Sequence, residues 1–237
     1  MPGIWAAIAA VLGALAFVLV SRWRARKGAG MPNQVKHWAD RADHHRGEVL
    51  KEISQHSTTD GSDRSLVSTA FIKMAENDFR GIISEVRNAN HSPAFKLFRL
   101  LYEDVINGLW AQAFATNDTI HDLLHTDDGK LPGKMKERAA ELDTIFVPPP
   151  EAGNQDTLFV DLQSKFWAVM NSYTHGGSMA INRAIVGYQE GDIYELLRSS
   201  TSIFILLVDA MYRLHHGKPN DALTAIGETY FAESWGE

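Results

Sequence analysis

The chain has 237 residues, 45% of them apolar, which is enough to bury one good core once the first thirty residues are set aside. It contains no cysteine, which excludes a disulfide framework, a thiolate metal site and a thiol nucleophile. The net charge of −6 is unevenly spread: residues 1–30 hold four basic side chains and no acid, so the remainder carries −10, repels phosphate backbones and argues against nucleic acid as a partner.

Residues 4–20 read IWAAIAAVLGALAFVLV, an uncharged apolar run bracketed by Trp5 and Trp23 and followed by Arg22, Arg24, Arg26 and Lys27. As a helix it spans roughly 25 Å, and the tryptophans and snorkelling arginines extend it to both interfaces. A cleaved secretory signal carries its basic residues before the apolar run, whereas here they come after it. Residues 4–20 are therefore expected to cross the lipid bilayer once, with the N-terminus outside and the body in the cytoplasm by the positive-inside rule. That divides the chain into an anchor with its basic flank, residues 1–30, and a cytoplasmic domain, residues 31–237.

Val35 to Ile53 has sparse apolar residues among many charges and reads as a surface helix, with His37, His44 and His45 in solvent. QHSTTDGSD, residues 55–63, is a loop in which Ser62 or Asp63 caps a helix running to about Ala89. The next helix starts with Ser92 as cap and Pro93 at the first helical position, and Phe95, Phe98, Tyr102, Val105, Leu109 and Ala113 form its core face. Asn117 caps a short helix to about His125, TDDGKLPG is a loop, and Lys134 to Phe146 is helical before the loop VPPPEAGNQD. Asp156 then caps a helix whose stripe is Phe159, Leu162, Phe166, Val169, Met170 and Tyr173, ended by Gly176 and Gly177. Three helices remain: Ser178 to Val186, a long apolar one from Ile193 to His216 expected at the centre, and a last one from Asn220 to about Ser234. With no strand alternation and no fixed-period repeat, the body is an all-α helical bundle.

Three groups of residues could carry chemistry. In HDLLH, His121 and His125 share a helical face, but the glutamate that a zinc peptidase needs beside the first histidine is Asp122, and there is no third ligand; neither metal nor cofactor is expected. Arg99, Glu103 and Trp110 fall beside the apolar stripe of their helix, either as an intrahelical pair that fixes packing or as the wall of a polar pocket. Trp167, Asn171 and His175 recur every four residues up to the glycine pair. A left-handed cap and a histidine in the last turn explain the glycines and the imidazole, but not Asn171, Tyr173 and His175 together. With Arg183 two turns on, they suit an anion or phosphate.

The pattern R-x-x-Y-E-x-x-x-x-G-x-W (Arg99, Tyr102, Glu103, Gly108, Trp110), followed by SYTHGG at 172–177 and by Arg183, resembles a family of uncharacterised bacterial helical domains over roughly residues 65–216. That likeness implies an all-α fold and no particular activity. More distantly the chain is similar to HEPN domains, helical bundles that often dimerise and include metal-independent ribonucleases with an R-N-x-x-x-H signature. In those enzymes the arginine steadies the scissile phosphate and the histidine transfers a proton. Asn171 and His175 match the N-x-x-x-H part, but Met170 stands where the arginine belongs. RNANH, residues 87–91, has too short a spacing and is followed by Pro93.

The leading expectation is a membrane-anchored cytoplasmic module that binds a partner protein or a small anionic ligand through a pocket near Arg99, Glu103, Trp110, Tyr173, His175 and Arg183. The alternatives are a HEPN-like ribonuclease or toxin with His175, Asn171 and Arg183 or Arg99 at its centre, and a structural module that homodimerises, as the HEPN likeness implies.

Overall fold

A computed structural model describes residues 32–56, 61–146 and 157–232. The anchor expected at residues 4–20 and the cap expected at Asp156 lie outside the described residues, as do the side chains of Phe166, Trp167 and Val169. Nine helices are described: α1 (Asn33–His56), α2 (Asp63–Arg87), α3 (His91–Ala113), α4 (Asn117–His125), α5 (Met135–Phe146), α6 (Phe159–His175), α7 (Ser178–Val186), α8 (Glu190–His216) and α9 (Asp221–Ala232). Among the described residues there is no strand, and no helix is long and apolar enough to cross a membrane.

α1 is a surface helix with His37 and His44 exposed, as expected, but its other face is buried and takes His45 with it. Val35, Trp38, Ala39, Ala42, His45 and Val49 form one buried stripe at spacings of three and four. Two alanines and a histidine made that stripe look sparse, yet small side chains let a helix approach its neighbours closely. His45 is buried edge-on against Tyr230, with ring centroids 5.1 Å apart, and burial together with the neighbouring charges of His44 and Arg41 pushes its pKa down to about 4.

Helix starts differ from expectation in instructive ways. Ser62 caps α2, its side chain accepting from the Ser65 amide at 3.2 Å. Thr116, one residue before Asn117, caps α4. On α3 the N-cap is Asn90, without a side-chain bond, so Pro93 is the third helical residue instead of the first. Its missing N–H costs nothing there, because the amides of the first turn have no partner within the helix.

At the start of α6 the cap comes from another helix. Asp143 of α5 accepts from the amides of Leu158 (2.9 Å), Phe159 (2.8 Å) and Val160 (3.1 Å). A buried carboxylate thus meets three orphan donors at the positive end of the helix dipole.

Two helices share the centre: α3 packs on α2, α5, α6 and α8, and α8, the helix expected there, packs on α2, α3 and α9 and reaches α1 through Tyr194 and α7 through Asp192. Gly108 makes the closest approach: a Cβ there would lie 2.7 Å from the Cβ of Phe71 on α2 and 3.2 Å from the Met211 methyl on α8. Tyr102 and Trp110 fix the other side, the former donating to the Phe159 carbonyl at 3.0 Å and the latter to Glu141 of α5. Most of the R-x-x-Y-E-x-x-x-x-G-x-W pattern is thereby accounted for as packing around one central helix.

Candidate functional site

The SYTHGG stretch ends α6 and turns the chain into α7. Gly176 adopts a left-handed conformation at φ 68°, and the amides of Gly176 and Gly177 both return to the Ser172 carbonyl, the latter at 2.7 Å. Gly177 lies so close to Ser172 that a Cβ would meet its Oγ at 2.8 Å and its Cα at 3.0 Å. The Ser172 hydroxyl accepts from the Met179 amide at 3.0 Å, so one serine serves the end of one helix and the start of the next. Ser172, Gly176 and Gly177 therefore build a corner.

The residues between them point two ways. Tyr173 is buried and stacked on Phe95, with centroids 4.5 Å apart, in a cluster that includes Tyr188 at 5.3 Å from Phe95. Burial raises the pKa of Tyr173, against the pull of a hydrogen bond with Arg183. Arg183 also pairs with Asp192 at the head of α8, at 2.7 Å. Arg183 and Tyr173 thus form an ion-paired latch between α6, α7 and α8.

Asn171 and His175 turn toward α3. Arg99 donates from Nε to Glu103 at 2.6 Å and from Nη1 to Asn171 Oδ1 at 2.8 Å, and the same Nη1 lies 3.1 Å from His175 Nε2. Each helix contributes two residues four apart, so the pairs face each other across the α3–α6 contact. A guanidinium has only donors, so Nε2 is the acceptor in this contact. The side chains of Arg99 and Glu103 are 19% and 25% accessible and His175 is exposed, so the group sits at a rim and not in the core.

Of the residues singled out in the sequence, Arg99, Glu103, Asn171 and His175 come together. Tyr173 and Arg183 belong to the neighbouring latch. Trp110 lies eleven residues further along α3, about 16 Å from Arg99, at the α5 contact. His121 and His125 stand exposed with ring centroids 4.6 Å apart, and among the described residues no three potential ligands gather to hold a metal. Arg87, from the RNANH stretch, bonds Asp40 at 2.8 Å and Asp43 at 3.0 Å and ties α2 to α1.

Sequence reasoning missed two groups beside the site. Arg138 of α5 is buried, donates to the carbonyls of Pro132 (2.8 Å) and Gly133 (2.9 Å), and has its pKa lowered by burial while the charges of Glu103, Glu137 and Glu141 support it. Asp104, next to Glu103, turns the other way and meets Asp78 of α2. Burial first, and then the charge of Asp78, push Asp104 up to about 7; burial raises Asp78 as well. The signal for Asp104 was its position three residues after Leu101, on the buried arc of the helix.

Away from these groups, a cavity of about 850 Å³ opens among the start of α6, α8 and α9, lined by Leu158, Leu162, Ile203, Leu206 and Leu223 among others. None of Arg99, Glu103, Asn171 and His175 borders it.

The model of a Family of unknown function (DUF6988) matches residues 72–232, more than half of the chain and all of α3 through α9, and the chain belongs to that family. The match takes in both the Arg99–Trp110 stretch and the glycine corner. No curated protein and no solved structure matches the chain.

Proposed function

We propose that this member of the family is a cytoplasmic helical module, tethered to a membrane by residues 4–20, that binds a small anionic group at Arg99, Asn171 and His175. One observation carries the reading: a single guanidinium nitrogen lies within hydrogen-bond distance of both an amide and an imidazole at an accessible rim. Glu103 accepts one of the five N–H donors of Arg99, and the guanidinium reaches beyond it to the neighbouring helix. Asn171 and His175 stand beside it on α6, and an arginine fork suits the oxygens of phosphate or carboxylate. The acidic body favours a small anion over a long polyanion, because its repulsion accumulates along a chain of phosphates. The test is thermal unfolding of the full chain in detergent with rising inorganic phosphate. The wild type is expected to gain melting temperature with phosphate, and Arg99→Met to gain none; an equal rise in both proteins removes the site from Arg99.

A second reading, metal-independent RNA cleavage, is favoured by where Arg99 reaches. Met170 takes the arginine position of R-N-x-x-x-H on α6, and Arg99 reaches the Asn171 and His175 of that pattern from α3. In this reading Arg99 turns from His175 Nε2 to the phosphate, His175 takes the proton of the ribose 2′-hydroxyl as that oxygen attacks the adjacent phosphorus, and the bond from phosphorus to the 5′-oxygen breaks as that oxygen receives the proton back. RNA cleavage in EDTA that is lost in both His175→Ala and Arg99→Met supports it. A folded wild type that leaves RNA intact returns the site to ligand binding.

A further inference from the structure

Apolar side chains gather on the outside of α7. Met179, Ile181, Ile185 and Val186 are 39%, 57%, 58% and 50% accessible, four large apolar groups on a helix of nine residues. At about 100° per residue, Ile181, Ile185, Ser178, Asn182, Val186 and Met179 occupy one continuous arc. That arc carries no charge; Arg183 lies outside it and turns to Asp192. A contiguous uncharged face of this kind calls for an apolar neighbour.

The position of α7 in the fold says which neighbour. Trp38, in the second turn of α1, packs edge-on against Tyr194, in the second turn of α8, with ring centroids 5.1 Å apart. The starts of α1 and α8 therefore share one end of the bundle, and α8 begins four residues after Val186. The chain that leads into α1 carries the apolar run ending at Val20, and the residues between Val20 and Asn33 reach about 40 Å when extended. α7 thus leads into the end of the bundle at which α1 begins.

We infer that α7 rests on the bilayer surface, with Met179, Ile181, Ile185 and Val186 in the boundary between headgroups and acyl chains. The inference rests on the reading of residues 4–20 as a membrane anchor. Tethering makes the association intramolecular, so a face too small to hold a free protein on a membrane stays engaged once the anchor is inserted. The attraction is apolar and not electrostatic, since the arc is uncharged and the body is acidic.

The absence of cysteine makes the test direct. Full-length Ile185→Cys and, as a control on exposed α4, Asp122→Cys carry one environment-sensitive fluorophore each and are reconstituted into phosphatidylcholine vesicles, with and without nitroxide-labelled acyl chains. The expected result is co-flotation with the vesicles and a label at residue 185 quenched several-fold more than the label at residue 122. Failure to float overturns the anchor reading and this inference with it. Flotation with equal quenching at both sites overturns the α7 inference alone, whether the label at 185 stays in water or is covered by a second copy of the chain.

Discussion

Helix α3 carries two polar clusters rooted at adjacent residues, and they satisfy charge in opposite ways. Glu103 is bonded at 2.6 Å by Arg99, one turn back on α3, and the cluster that Arg99 forms with α6 stays open at the rim. Asp104 faces α2 and finds another acid, Asp78, in a buried setting where burial and that neighbour raise its pKa to about 7. A carboxylate with a cation keeps its charge at neutral pH, whereas a carboxyl whose nearest partner is another acid holds a proton well above the usual range. A one-residue step, about 100° around the helix, separates an ion-paired edge from a protonated core position.

Removing the titration of Asp104 breaks this comparison most sharply. Between the unfolded value near 4 and the folded value near 7, the folded chain binds more protons, so the contribution of this group to stability is present at low pH and lost as pH rises. Asp104→Asn keeps a donor toward Asp78 and ends the titration. The variant is expected to gain on the order of 2–4 kcal/mol over the wild type at pH 8 and little at pH 4, read from denaturant midpoints. His45 has the opposite sign: its folded pKa near 4 lies below the unfolded 6.5, so its contribution is present above pH 6.5 and lost as pH falls toward 4. The two contributions offset each other in the wild type between about pH 4 and 6.5. In Asp104→Asn that balance is gone, and stability should fall with acidification across the same window.

A third carboxylate sharpens the contrast. Asp143 also sits in the core, but three backbone amides satisfy it. Asp143→Ala strands those donors and should cost about 2–3 kcal/mol, visible as a lower melting temperature. It should also weaken phosphate binding, because α6 carries Asn171 and His175. Arg99→Met is milder for the fold, at about 1 kcal/mol or less, since Glu103 is partly solvated once its partner leaves. The same change should abolish the phosphate-dependent rise in melting temperature. Smallest is Ile181→Ser with Ile185→Ser, which should stay within about 0.5 kcal/mol of the wild type in detergent, since both side chains are more than half accessible.

The helical periods of the sequence were enough for the bundle, and most element boundaries fall within a few residues of those read from caps and glycines. The centre of the bundle was only half readable from hydropathy. The apolar SIFILLV run marked α8 as central, and α8 is buried there, but α3 shares that place because Gly108 lets two helices close on it, and a missing side chain leaves no mark in an apolar count. His45 was hidden for a related reason, among charges that alternate with a short-chained stripe. At the site, Arg99 with Glu103 and Asn171 with His175 were each legible as pairs four apart. Their meeting was not, because it depends on the packing of α3 against α6 across an interval of 72 residues. Arg183 drew attention by its nearness in sequence, yet it is held by Asp192, nine residues away.

The glycine corner has a consequence for how relatives of this chain should be sorted. Its conspicuous letters, the serine and the two glycines, record a bend, and any chain that keeps the bend will keep them whether or not it keeps the chemistry. The informative letter stands 72 residues upstream, at position 99, paired with the asparagine at 171. A relative with an intact SYTHGG and an aliphatic residue at position 99 would keep the corner without the cluster that Arg99 forms with Asn171 and His175, and a catalogue compiled on the motif alone would place the two side by side.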